Sequence, residues 1–133
     1  MIQVLNIISD TNIGGAGRVL LNYLRCSDRS RFETLAALPR GSLLAPPLRE
    51  AGARVLEVDG IADRSFHRDD VRTLRALIAR EKPGLVHTHG CLSGRIAARR
   101  EGVPVVYSRH SAFPVPAKLR YPPGRWVNKL VNE

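Results

Sequence analysis

Two hydrophobic periods alternate along this chain. Ile2 to Ile8 (IQVLNII) is a near-continuous apolar run, the pattern of a strand covered on both faces. Turn residues follow from Ser9 to Gly15, and a helix is predicted from about Gly15 to Arg25. Its buried stripe is expected at Val19, Leu20, Tyr23 and Leu24, which recur at helical spacing. Phe32 to Leu38 reads as a second strand. Ser42 is placed to cap a short helix from about Leu43 to Ala51, with Pro46 and Pro47 in its first turn, where their missing N–H groups cost little.

Gly52 ends that helix, and Ala53 to Val58 reads as a third strand. Asp59 to Arg68 is polar loop. Asp69 or Asp70 is then expected to cap a helix whose buried stripe is Val71, Leu74, Leu77 and Ile78, and Lys82 with Pro83 stops it. Gly84 to His89 follows as a fourth strand, Cys91 to Arg100 as a fourth helix ended by Gly102, and Val103 to Ser108 as a fifth strand. The proline-rich stretch Phe113 to Gly124 reads as loop, and Trp126 to Val131 begins another helix. Regular strand–helix alternation implies right-handed βαβ units and a parallel sheet. The expected fold is therefore α/β, a Rossmann-like doubly wound parallel sheet of strand order 3-2-1-4-5 occupying residues 1–133. A sixth strand normally completes such a pattern, so the sheet is expected to be incomplete.

Composition changes this picture little. Hydrophobic residues make up 44% and charged residues 25% of the 133-residue chain, ordinary for a folded domain. Cys26 and Cys91 are no disulfide framework, which points to a reducing, cytoplasmic setting. No apolar run reaches the roughly 18–20 residues that span a bilayer, and the start at Met1 lacks the basic region of a signal peptide.

Charge adds more. With 21 Lys and Arg against 12 Asp and Glu, the net charge is +9, a field that attracts nucleic acid, an anionic membrane surface or a phosphorylated substrate. A non-catalytic nucleic-acid binder should gather its basic residues on one element or interleave them with aromatics. Here they are spread over all elements, so no nucleic-acid partner is expected.

Ligands of open parallel sheets sit beyond the carboxyl ends of the strands, where strand order reverses. For order 3-2-1-4-5 that point lies between the first and fourth strands. The loop after the first strand contains Ile13-Gly14-Gly15-Ala16-Gly17-Arg18, in which adjacent glycines and the helix start behind them favour an anion. A nicotinamide-dinucleotide site fits poorly, because Leu20 stands at the third glycine position and no acid ends the second strand near Leu38. The phosphate-loop pattern of ATPases and GTPases is absent. After the fourth strand, His87 and His89 share one strand face with Cys91 possible as a neighbour, but the spacing is not that of a zinc site and no metal is expected. His89 is the better candidate to meet a ligand, since it ends the strand beside Gly90. Arg109, His110 and Ser111 after the fifth strand bring a cation, an imidazole and a hydroxyl suited to phosphate or sugar hydroxyls.

These motifs resemble the N-terminal domain of family 4 glycosyltransferases, retaining enzymes of the GT-B fold. Gly14-Gly15-Ala16-Gly17-Arg18-Val19-Leu20 is similar to the family's G-G-A-E-R-hydrophobic opening. Lys82 to Gly90 is similar to its K-P-D-[VI]-[VI]-H-x-H strand, and Gly102 to Ser111 to its G-[VI]-P-V-V-x-[ST]-x-H strand. The resemblance implies that Gly14 and Gly15 lie against the donor diphosphate and that His110 is catalytic, reaching toward the transferring sugar or the acceptor. Asn12, His89, Gly90, Arg109 and Ser111 would line the acceptor cleft. Gly17 departs from the family's glutamate and is expected to loosen the helix start. The partners implied are a nucleotide-sugar donor and a glycan or lipid-linked acceptor of the cell envelope, with no cofactor. Peripheral contact with anionic lipid at the inner membrane face, and self-association through the unfinished sheet edge, are further expectations. The second half of that fold, which grips the nucleotide, has no counterpart in these residues, so the chain alone is expected to be inactive. A sugar-phosphate enzyme of similar layout, such as an epimerase, is the rival enzymatic reading.

Overall fold

In a computed structural model the chain is described over residues 1–110 and 120–132. Strands β1 (Ile2–Ile8), β2 (Phe32–Pro39), β3 (Arg54–Val58), β4 (Leu85–His89) and β5 (Val105–Ser108) alternate with helices α1 (Gly15–Cys26), α2 (Ala45–Glu50), α3 (Arg68–Glu81), α4 (Leu92–Arg100) and α5 (Gly124–Asn132). All strand pairs are parallel, and the sheet order is β3-β2-β1-β4-β5. The doubly wound reading therefore holds, with order reversal between β1 and β4.

Alternation of side chains sorts the sheet into two faces. One face carries Leu5, Ile7, Leu35, Ala37 and Val86, which form a closed core with Val71, Leu74, Leu77 and Ile78 of α3 and Ala97 and Ala98 of α4. The opposite face carries Ile8, Ala36 and Leu38 beneath Leu20 and Leu24 of α1 and Leu44, Ala45 and Leu48 of α2. That second core covers β1 to β3. Over β4 and β5 the same face presents His87 and Val106, and Val106 is 51% exposed.

Several local expectations need correction. The buried side of α1 is Ala16, Gly17, Leu20 and Leu24, whereas Val19 and Tyr23 are 52% and 42% exposed. Small residues decide this, because Ala16 and Gly17 let the helix approach α2. A Cβ on Gly17 would come within 2.8 Å of Leu44 Cδ1. The second helix starts at Ala45 rather than Leu43, and Ser42 instead bonds the turn before it: its hydroxyl accepts from the Leu44 N–H at 3.3 Å. Neither Asp69 nor Asp70 caps α3. His67 does, its Nδ1 accepting from the Asp69 N–H at 3.3 Å. Asp70 is buried and held by Arg64 through two bonds of 2.6 and 2.7 Å. The fifth strand begins at Val105, after Pro104, and α5 begins at Gly124, two residues earlier than its apolar positions suggest. Lys82 ends α3 in the left-handed conformation, its N–H donating to the Ile78 carbonyl at 2.8 Å.

Candidate functional site

The site is built where β1 and β4 end side by side, in a register that pairs Ile8 with His89. Parallel strands deliver the loops after β1 and β4 to one rim, and β5 adds a third through the pairing of His89 with Ser108. Gly90 makes the turn into α4 at φ +69°, which a side chain would strain, and its N–H donates to the Ser108 carbonyl at 3.2 Å.

Histidines dominate this rim. His89 Nδ1 lies 2.9 Å from His110 Nε2, and the two ring planes are within 10° of each other with centroids 5.2 Å apart. On its other side, His89 Nε2 lies 3.4 Å from the carboxamide oxygen of Asn6. The His87 ring stands 4.1 Å from that of His89, and its Nε2 is 2.8 Å from the Ser108 hydroxyl. Desolvation first, then the neighbouring imidazoles, push the His89 pKa down to about 4 and also lower that of His87. His89 is thus uncharged at neutral pH.

A hollow of about 310 Å³ opens beside this row, lined by Val19, Tyr23, Phe32, Leu85, His87 and His89 among others. Its walls are the flank of α1 and the open half of the sheet, which is why Val19 and Tyr23 are not buried.

The start of α1 is the other component. Gly14 is its N-cap in extended conformation, with no side-chain cap and no acidic residue in the first turn. The first N–H groups therefore point outward unpaired by the helix itself. Asp10 stands close by: a Cβ on Gly14 would come within 3.0 Å of Asp10 Oδ2, whereas one on Gly15 meets nothing within 4 Å. An anion would accordingly be received on the Gly15 side. Asn12 is exposed, and its carbonyl accepts from the Gly14 N–H at 3.0 Å.

Of the residues singled out from sequence, the structure joins His89 to His110 directly and sets Gly90 beside them. Gly14, Gly15 and Asn12 share the rim without bonding to the histidines. Arg109 is exposed at the end of β5, and Ser111 lies outside the described residues. Cys91 belongs to the closed core on the opposite side of the sheet, where burial pushes its thiol pKa up, so it is no companion to the histidines. Among the described residues no group of three or more His, Cys, Asp or Glu is placed to hold a metal ion, and no helix is long and apolar enough to cross a membrane.

Two features escaped sequence reading. Asn6 lies mid-strand and is 2% exposed, a polar residue within an apolar run. That mismatch is itself the signal, since a buried amide needs partners. The polar loop after β3 is the other: it crosses the rim and ties its loops together. Asp63 accepts from the Thr11 N–H and hydroxyl at 2.9 and 2.7 Å, and the Ser65 hydroxyl donates to the Gly90 carbonyl at 2.7 Å.

Comparison with known proteins agrees with the fold. The family model described as a glycosyl transferase 4-like domain matches residues 14–133. No curated protein matches the sequence. Among solved structures, a glycosyltransferase from Rickettsia africae superposes with TM-score 0.74 at 13% identity, over 98% of this chain and 34% of that one. MurG of Acinetobacter baumannii gives 0.66 at 12% identity, over 90% and 38%. A UDP-GlcNAc 2-epimerase from Neisseria meningitidis, bound to UDP-GlcNAc, gives 0.59 at 14% identity, over 98% and 38%. At these identities the likeness is one of fold, that of one Rossmann-like half of a GT-B enzyme. The chain spans little more than a third of the length of these structures.

Proposed function

Because this chain belongs to the glycosyl transferase 4-like family, we propose that it is the acceptor-side half of a retaining enzyme moving a sugar from a nucleotide-sugar donor to an acceptor hydroxyl. The single observation that carries the reading is the His89–His110 pair at the rim, beside an α1 start that has no side-chain cap. As the bond between sugar and diphosphate breaks, negative charge builds on the leaving group. Fixed N–H donors of the first turn of α1, from Gly15 onward, would stabilise that charge without reorganising. His110, held by an uncharged His89, would meet the sugar or the incoming hydroxyl. Arg109 and Asn12 would line the remainder of the cleft. The rest of the nucleotide grip belongs to the second half of a GT-B fold.

Donor and acceptor follow as narrower proposals. A uridine-diphosphate sugar is the donor to test first, since the Neisseria epimerase that shares this half-fold bound UDP-GlcNAc. The +9 charge favours a phosphorylated or lipid-linked acceptor at an anionic membrane surface. Among the described residues β5 pairs with β4 alone, and its other edge is the place proposed for self-association.

The test is a transfer assay on the full-length protein with a panel of nucleotide sugars, run beside His110→Ala. Transfer with retained anomeric configuration, falling at least about a hundredfold in the variant while the fold persists, is expected. Epimerisation of the sugar nucleotide without transfer would replace this reading by the rival one, and unchanged transfer would remove His110 from the site.

A further inference from the structure

The three groups Asn6, His89 and His110 form a row of hydrogen bonds running from the middle of the sheet to its rim. The sense of such a row depends on which nitrogens carry protons. Asn6 decides it. Its Nδ2 stands 3.5 Å from two backbone carbonyls, of Val4 and Leu35. Turning the carboxamide over would bring its oxygen against both carbonyl oxygens, in a site where Asn6 is 2% exposed. The oxygen is therefore directed at His89 Nε2, which must carry a proton to donate across 3.4 Å.

A neutral imidazole protonated at Nε2 has a bare Nδ1. In His89 that nitrogen lies 2.9 Å from His110 Nε2, so His110 must be the donor there. In its neutral form His110 then presents Nδ1 as a lone pair. We propose that Asn6 is a positioning residue that fixes the tautomer of His89 and, through it, that of His110, so that His110 faces the cleft as a hydrogen-bond acceptor for a ligand hydroxyl rather than a donor to phosphate. The chemical class it would select is a hydroxyl-bearing sugar or acceptor. His87 takes no part in the row, being committed to the Ser108 hydroxyl.

The role given to His110 rests on the glycosyl-transfer reading, but the tautomers can be read without any substrate. Long-range ¹⁵N–¹H spectra of the imidazoles in the full-length protein, assigned with His→Gln variants, report which nitrogens are protonated. Wild type should show Nε2–H on both His89 and His110. Asn6→Leu, which keeps the volume and removes the acceptor, should convert His89 and His110 to tautomer mixtures. In turnover, Asn6→Leu should lower kcat at least about tenfold with the donor KM little changed. A wild-type spectrum with Nδ1–H on His89 overturns the proposal even if no variant folds, and so does an unaltered His110 tautomer in Asn6→Leu. Absent transfer with the expected tautomers would instead count against the glycosyltransferase reading alone.

Discussion

One strand, β4, divides its residues between two unlike surroundings. Val86 and Thr88 point into the closed core under α3 and α4, and both are fully buried. Leu85, His87 and His89 point the other way, into the hollow beside α1. The register that pairs Asn6 with His87 on that face is the same one that pairs Leu5 with Val86 on the other. Closed packing and the candidate site are thereby carried by alternate residues of a single segment. Thr88 apart, β4 gives the closed face only apolar groups, whereas the open face holds imidazoles and an amide. Burying the open face fully would leave those polar groups short of partners.

The largest effects should fall on the closed face. Leu74 is fully buried at the centre of that core. Leu74→Ala should cost about 3 kcal/mol in urea unfolding, the loss expected from deleting buried methyl groups and leaving a cavity. A cost under about 1 kcal/mol would mean that this face is looser than its burial implies. A slightly smaller loss is expected at the rim loop. Arg64 is 41% exposed in its side chain, but its partner Asp70 is only 2% exposed. Arg64→Met should therefore lower the urea midpoint by stranding a buried carboxylate. Adding Asp70→Leu should recover most of that loss, because the pair's desolvation is then no longer required.

The difference between the faces also explains what could be read from sequence. The periodic apolar positions of α3 (Val71, Leu74, Leu77 and Ile78) announce a buried stripe, and all four are buried. A parallel sheet follows from the alternation of elements and the handedness of their crossovers, whereas its strand order does not, since other doubly wound orders obey the same rules. The same periodic logic fails on α1, where Val19 and Tyr23 look like core but flank the hollow. Hydrophobicity reports that a residue can be buried, not which neighbour is small enough to set the helix rotation. Here the small residues Ala16 and Gly17 set it, so Gly17 reads as a packing requirement against Leu44 rather than a loosened helix start. Histidines at the strand ends were visible as candidates because strand ends place ligands. Their link through Asn6 was not, since it joins residues 83 positions apart.

Acid should separate the two faces by a moderate amount. The folded pKa of His89, about 4, lies below its ordinary value of 6.5, so the unfolded chain takes up a proton first as pH falls. The neutral ring's contribution is complete above the ordinary value and is lost as pH falls through that window toward the folded value. Allowing for solvent at the open side, the loss should be on the order of 1–2 kcal/mol between about pH 7 and pH 4. Urea midpoints across that range measure it. His89→Gln should flatten part of the slope, whereas Leu74→Ala should lower the whole curve without changing its shape. An equal slope in His89→Gln and wild type would assign the acid sensitivity elsewhere.

The smallest expected effect is the sharpest check on the open face. Val106 and Val86 are both valines in adjacent, hydrogen-bonded strands, yet Val106 is 51% exposed and Val86 is fully buried. Truncating a buried valine removes packed methyl groups and leaves a void, whereas truncating a half-exposed one mainly trades protein contact for water. Val106→Ala should therefore change unfolding free energy by no more than about 0.5 kcal/mol, and Val86→Ala by about 2 kcal/mol. The same pair measured in the full-length protein asks whether the open half of the sheet is covered there. If Val106→Ala becomes as costly as Val86→Ala only in a longer chain, another segment buries that face there, and the hollow beside the histidines is narrower than 310 Å³. If the cost stays small in both, the face remains accessible, and the hollow is left open.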